Sequence, residues 1–414
     1  MVSETMRSFA GREAPQSETG LLIVVSAAHL VSHFYILVLP VLIPLLKNGL
    51  DVGYFEIGLA LTTFNVVTGL TQAPMGFLVD RVGPRLVLMA GLCLGGLAFA
   101  MLGLWTAYPV LIAAALLAGL ANCVYHPADY ALLADAIAEH RVGRAFSVHT
   151  FAGFAGGALA PPILLGVAAS AGLATALLVA GLVGPVVAGL VLMRGRVVDA
   201  SRNKARAANA AGQQAPWSFF NASIIGLTGF FTLLALSSGG IQSFSVVALL
   251  ATQDVTLASA NVALTAHLSC AAIGVLAGGV LADRTAAHGY VAAVGFGLTT
   301  AIVAAIAVLS LAAPVIIGGL GLAGFLSGLI MPSRDMLVRK AAPVGMVGRA
   351  FGIVSTGFNI GGIIGPLLFG WIMDNASPRW VFGVSAAFMA VTAAFGIASE
   401  QRARQRLAAQ ISAR

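Results

Sequence analysis

The sequence predicts an all-α membrane protein: twelve transmembrane helices in two pseudo-symmetric six-helix halves around a central cavity. Three observations predict it. The 414 residues are 59% hydrophobic and only 9% charged, whereas a water-soluble domain carries about 25% charged residues. Long apolar runs recur along nearly the whole chain, with one sizeable polar break at residues 194–218. One module is also written twice, 205 positions apart. Residues 122–162 read NCVYHPADYALLADAIAEHRVGRAFSVHTFAGFAGGALAPP, and residues 327–367 read SGLIMPSRDMLVRKAAPVGMVGRAFGIVSTGFNIGGIIGPL. Without a gap, Pro127 aligns with Pro332 and Gly143-Arg144-Ala145-Phe146 with Gly348-Arg349-Ala350-Phe351. Gly156-Gly157 aligns with Gly361-Gly362, and Pro161 with Pro366. Duplicated membrane halves most often build a carrier whose site lies where the halves meet.

A membrane helix needs about 20 apolar residues. Spans 1 to 6 are expected at 21–46, 54–79, 86–104, 109–134, 144–169 and 172–193. Spans 7 to 12 are expected at 219–250, 259–282, 290–311, 313–338, 348–374 and 379–399. The domain organisation follows: a flexible tail at 1–20, an N-terminal half at 21–193, a linker at 194–218, a C-terminal half at 219–399 and a basic tail at 400–414. Residues 1–20 precede an apolar run too long for a signal-peptide core and show no cleavage site. The 49 Gly and 16 Pro fit membrane helices, where both are more frequent than in soluble ones. Cys93, Cys123 and Cys270 stand alone in apolar runs and read as buried small residues, not disulfides.

Lys and Arg set the orientation. With the N-terminus inside, only Lys47 and Arg379 of the 22 basic residues fall outside. Both termini are therefore expected in the cytoplasm and the chain in a bacterial inner membrane. The net charge of +7 is then a topology signal and a lipid contact, not a nucleic-acid footprint.

The loop after span 2 reads GFLVDRVGPR, from Gly76 to Arg85, and its counterpart after span 8 reads GVLADRTAAHG, from Gly279 to Gly289. The first loop resembles the signature of the major facilitator superfamily, and the likeness covers nearly all of residues 20–400. It implies a conformational latch on the cytoplasmic side, built from Gly76, Asp80, Arg81, Gly83, Arg85, Asp283 and Arg284. Physically, Gly76 is expected to let helices approach, and Asp80 to cap a neighbouring helix N-terminus. SAAHLVSHFYILVLPVLIPLL in span 1, VYHPADYALLAD in span 4 and MPSRDMLVRKAAP in span 10 resemble the fosmidomycin-resistance branch. The export motif of drug antiporters in span 5 is altered here to Gly153, Gly156, Gly157, Pro161 and Pro162. Asp129 stands in the region where many of those antiporters carry a basic residue.

Ionisable groups inside spans are costly and are read first as functional. The resemblance implies that spans 1, 4, 7 and 10 line the cavity. In span 1, His29 and His33 share a face at i, i+4, with Tyr35 pointing elsewhere. In span 4, Asn122, His126 and Asp129 form a polar stripe flanked by Tyr125, and Pro127 loosens the backbone. In span 10, Arg334 and Asp335 follow Pro332, and Arg334 is the repeat's counterpart of Asp129. Asp129 and Arg334 are expected to pair as the cytoplasmic side closes. Gln242 and Asn359 are secondary cavity candidates. Asn65, Gln72, His149 and His267 read as interhelical hydrogen bonds, and Gly357/Gly361/Gly365 and Gly274/Gly278 as close helix packing. Gly319-Leu-Gly-Leu-Ala-Gly324 matches a dinucleotide fingerprint but follows no strand, so it carries no such meaning.

No HExxH or soluble catalytic domain argues for an enzyme, and no GxxxxGK[ST] loop for ATP drive. The expectation is a monomeric secondary transporter of a small molecule, with protons as the coupling ion and no cofactor. Arg334 and the histidines favour a small anionic or zwitterionic cargo, and the resemblance implies its proton-driven export. Uptake of an organic anion is the alternative. A lipid carrier, or a divalent-metal carrier using His29, His33, His126 and Asp129, stands behind both.

Overall fold

The computed structural model describes residues 14–137, 139–193, 222–285, 287–341 and 347–412, and among them all regular structure is helical. The expected linker at 194–218 lies outside the described residues, as do residues 1–13 of the expected N-terminal tail. Span 1 is Ala14–Leu50, span 2 is Tyr54–Val82 and span 3 is Pro84–Leu104. Span 4 is broken into Tyr108–Asn122 and Tyr125–Ala136. Spans 5 and 6 run through Glu139–Met193 and part at Gly172, whose φ of 84° suits a residue without Cβ. Span 7 joins Ala222–Gly239 to Ser245–Thr252 through a π-helical turn, Gly240–Phe244. Spans 8 to 12 are Leu257–Arg284, His288–Val308, Ala313–Ala341, Val347–Asn375 and Trp380–Ser412. Ten stretches among the described residues are long and apolar enough to cross a membrane. One of them, Ala145–Met193, holds spans 5 and 6, and Tyr54–Val82 completes the twelve.

The chain divides into two compact units. The first comprises Met1–Ile36, Val67–Gly157 and Ala174–Gln214, and the second Leu37–Val66, Ala158–Leu173 and Ala215–Arg414. Helix association in lipid gains little from hydrophobic burial, so it relies on small residues that let backbones touch. In the first unit a Cβ on Gly96 would strike the Gly181 carbonyl and Pro185, and one on Gly184 would strike the Leu92 carbonyl. These contacts run spans 3 and 6 antiparallel, and the Tyr35 hydroxyl accepts a 2.7 Å hydrogen bond from the Gly184 amide beside them.

In the second unit, Gly274 and Gly278 of span 8 meet the Phe325 and Leu329 carbonyls, while Gly324 and Gly328 of span 10 meet those of His267 and Ala271. Four glycines thus make one reciprocal seam. Gly357 and Gly361 of span 11 pack on Thr228 and Ala235 of span 7, as their spacing predicts. Gly365 makes only ordinary contacts. An apolar core of Phe230, Phe231, Phe296, Ile330, Val338 and Val354 fills the space between spans 7, 9, 10 and 11.

Candidate functional site

Spans 1, 4 and 5 bring ionisable side chains to one place inside the first unit. Pro127 has no N–H, so the carbonyl of Cys123 loses its helical partner. Span 4 stops at Asn122, turns, and restarts at Tyr125. One turn later stands Asp129, fully buried. Its Oδ2 lies 3.5 Å from Nδ1 of His29 and 3.7 Å from Nε2 of His149. The His29 and His149 rings stack with centroids 3.9 Å apart. His33 sits edge-on to His29 at 4.7 Å, His126 lies 5.4 Å from His29, and Tyr130 meets His149 at 6.0 Å.

The cluster is under-satisfied. Both carboxylate oxygens of Asp129, Nδ1 of His29, both ring nitrogens of His149, Nδ1 of His126 and the Tyr125 hydroxyl are buried without a hydrogen-bond partner. Unpaired buried polar atoms are expensive, so such a concentration makes this cluster the candidate site. Gly153 makes the room: a Cβ there would lie 2.7 Å from the His29 ring and 2.9 Å from that of His33. Gly156 lets the span 5 backbone rest on Leu30 of span 1. Both glycines belong to the altered export motif.

Arg334, in the second unit, has its own partner. Its Nε donates to Oδ1 of Asp335 at 2.9 Å and Nη2 lies 2.8 Å from the same oxygen. The guanidinium lies over the Phe231 and Phe358 rings, 4.9 and 5.5 Å from their centroids. Within its own unit each charge has a local arrangement, histidines around Asp129 and Asp335 against Arg334. Gln242 is half-buried in the π turn of span 7, a type of irregularity frequent at functional sites, and Asn359 is half-buried in span 11. Asn122 is half-buried at the break of span 4.

A second device in this unit was not foreseen. Asp374, near the C-terminal end of span 11, accepts hydrogen bonds from the amides of Tyr54 at 3.0 Å and Phe55 at 2.7 Å. It thus caps the N-terminus of span 2 from a distant part of the chain, satisfying amides that a helix start leaves orphaned. Thr62 donates to the Ile363 carbonyl at 2.9 Å, and Gly58 lies against the Pro366 carbonyl. The signal for it was the start of span 2, where Gly53 offers no capping side chain.

Gly83 starts span 3 with φ 105°, a conformation that glycine tolerates. Arg85 donates to the Leu192 carbonyl at 3.0 Å, closing the C-terminal end of span 6. Gly76 does not bring helices together, because a Cβ there would meet nothing within 4 Å. In span 2 the close approach is at Gly58 instead. Asp80, Arg81, Asp283 and Arg284 are exposed at the ends of spans 2 and 8. Tyr35 turns away from the histidines toward span 6, and Asn65 bonds back to the Leu61 carbonyl. His267 is a satisfied core residue, with Nδ1 3.1 Å from the Leu320 carbonyl. His149, read from sequence as a packing residue, is a full member of the cluster. Its spacing of four from Gly153, on one helix face, is the signal that could have found it.

The model of the Major Facilitator Superfamily matches residues 25–254 and 225–412. The chain belongs to this superfamily. It is a multi-pass membrane protein of a transporter family, not an enzyme. As a superfamily member it is similar to the fosmidomycin resistance protein of Escherichia coli (strain K12), 26% identical over 164 residues. That alignment covers 39% of this chain and 40% of the relative. A probable L-galactonate transporter of the same organism is 29% identical over 119 residues, 29% of this chain and 26% of that one. The chain thus aligns with well under two thirds of either relative's length. Among solved structures, a bacterial homologue of the human lysosomal transporter Spinster, inward-facing and occupied, superimposes with a TM-score of 0.75. It is 13% identical, over 92% of this chain and 96% of that one, which establishes the shared fold.

Proposed function

We propose that this superfamily member is a secondary active transporter working by alternating access, which exports a small anionic or zwitterionic compound in exchange for protons. The observation that carries the reading is Asp129, buried among His29, His126 and His149 with neither oxygen hydrogen-bonded. Imidazole titrates near neutral pH and a carboxylate accepts protons, so the group can take up and release a proton as its exposure changes. Arg334 supplies the guanidinium for a phosphonate or carboxylate, freed when Asp335 yields it. The Asp374 cap on span 2 holds the end of the helices that carries Lys47 and Arg379, and it must break when that end opens. The charge pattern supports that end lying outside and both termini in the cytoplasm, and on this reading the chain works as a monomer in a bacterial inner membrane. In the signature loop, Asp80, Arg81 and Arg85 act as the opposite latch.

The partial likeness to a fosmidomycin resistance protein supports export, and the one to a probable L-galactonate transporter supports organic-anion uptake. Accumulation of fosmidomycin in sensitive bacteria expressing the chain separates them. Export predicts lowered accumulation, restored by a protonophore and by Asp129→Asn. Raised accumulation would indicate uptake, and no change, with the protein verified in the membrane, would remove small phosphonates as cargo.

A further inference from the structure

We infer that His29, Asp129 and His149 form a binding site for a divalent transition-metal ion of the zinc class. The inference stands on the cluster's geometry and holds whichever way the cargo moves. Each of the three residues offers a donor atom, and those atoms all lie within 4.8 Å of one another. The two contacts to Asp129, at 3.5 and 3.7 Å, slightly exceed the donor spacing an ion demands. With ligand bonds of about 2.1 Å, a tetrahedral ion holds its donors about 3.4 Å apart.

The donor set selects the ion. Two imidazole nitrogens and one carboxylate oxygen suit zinc, cobalt, nickel or copper, whereas magnesium and calcium prefer oxygen alone. The donor atoms are also uncommitted: Nδ1 of His29, Nε2 of His149 and both oxygens of Asp129 make no hydrogen bond. His267 shows the contrast. It is also buried in a span, but a backbone carbonyl engages its Nδ1. Nδ1 of His29, Nδ1 of His126 and both ring nitrogens of His149 have no such partner.

Three protein ligands leave the fourth position of a tetrahedral ion open, as in sites that bind an exchangeable group. A dication on one carboxylate leaves a net positive charge, complementary to an anionic ligand atom at that position. His126, with a free Nδ1 near the His29 ring, is the nearest further donor. Binding requires neutral imidazoles and an ionised carboxylate, so metal and protons compete for the site. The groups that set this competition are His29 and His33 of span 1, His126 and Asp129 of span 4, and His149 of span 5.

The test uses the full chain, free of any affinity tag, purified in detergent and stripped by a chelator. Zinc is titrated by calorimetry, and cobalt by its visible absorption. Wild type is expected to bind one ion per chain, with cobalt bands of a four-coordinate nitrogen–oxygen site that zinc displaces. Affinity should fall as pH is lowered, because the ligands take up protons. His149→Gln and Asp129→Asn should each weaken binding at least about ten-fold, and His267→Gln should leave it unchanged. Should either cluster variant fail to fold, His29→Gln takes its place, and zinc should still raise the wild-type melting temperature. No stoichiometric binding by wild type would overturn the site, as would binding that His149→Gln and His29→Gln leave intact. Loss of proton coupling in Asp129→Asn alongside absent zinc binding would leave the transport reading standing and remove only the metal.

Discussion

Two places after the repeat's proline, span 4 carries Asp129 and span 10 carries Arg334, and their surroundings differ as much as their charges. Around Asp129 the first copy supplies His126 and His149, and Gly153 clears the space they need. At the equivalent positions the second copy has Met331, Val354 and Phe358. Val354 is buried in the apolar core of the second unit, and Phe358 lies against the guanidinium of Arg334. One ancestral frame of Pro, Gly-Arg-Ala-Phe and Gly-Gly thus carries an under-satisfied polar cluster in one half and a locally paired, aromatic-caged charge in the other. The backbone punctuation is what helix packing demands of both. The departures from ordinary packing rules gather in the first copy, where chemistry is expected to repay them.

Three substitutions test that contrast. The largest effect is expected from giving the first copy the second copy's residue, Gly153→Phe. A Cβ alone crowds His29 and His33, so the ring should displace them and abolish transport, at a stability cost of about 1–3 kcal/mol. Uphill flux and thermal unfolding in detergent measure the two effects. Retained transport would mean that the histidines do not need their present arrangement.

A smaller effect is expected at the cap on span 2. Asp374→Ala removes the acceptor of two amide hydrogen bonds and should weaken that closure by about 1 kcal/mol. Thiol labelling of a cysteine placed at the Lys47–Asp51 turn should then be several-fold faster than in the parent. An unchanged rate would show that the close contacts of Gly58 with the Pro366 carbonyl and of Gly370 with the Tyr54 carbonyl hold the closure alone.

The smallest effect on transport is expected from Tyr35→Phe, outside the cluster. It removes one hydrogen bond to the Gly184 amide, worth about 1 kcal/mol. The melting temperature should fall slightly and transport should persist. Loss of transport with folding intact would extend the functional network into spans 3 and 6.

How far the sequence reveals this depends on whether a feature is local. Twelve spans are legible because hydropathy is summed along the chain, and even the parting of spans 5 and 6 falls at Gly172, where the sixth run begins. His29, His33, His126 and Asp129 are legible because ionisable groups inside apolar runs are rare and their helical spacing is short-range. His149 is separated from Asp129 by a turn and part of another helix, so its convergence depends on how span 5 lies on span 1. The Asp374 cap joins residues 320 positions apart and leaves only the weak trace of an uncapped helix start. Gly76 misleads because a small residue in a helix permits close approach without requiring it. Asp335 is legible as a partner of Arg334 because it is its neighbour in sequence, whereas the span 5 histidine beside Asp129 is not.

The central claim is that the Asp129 cluster couples protons to cargo movement. Purified chain in liposomes, with a pH-sensitive dye inside and fosmidomycin on both sides, tests it most directly. Wild type should accumulate the compound against its gradient when a pH difference is imposed. Asp129→Asn should still exchange labelled for unlabelled compound at equilibrium, yet move no protons and perform no uphill transport. Proton movement and uphill transport retained at the wild-type rate in Asp129→Asn would contradict the account.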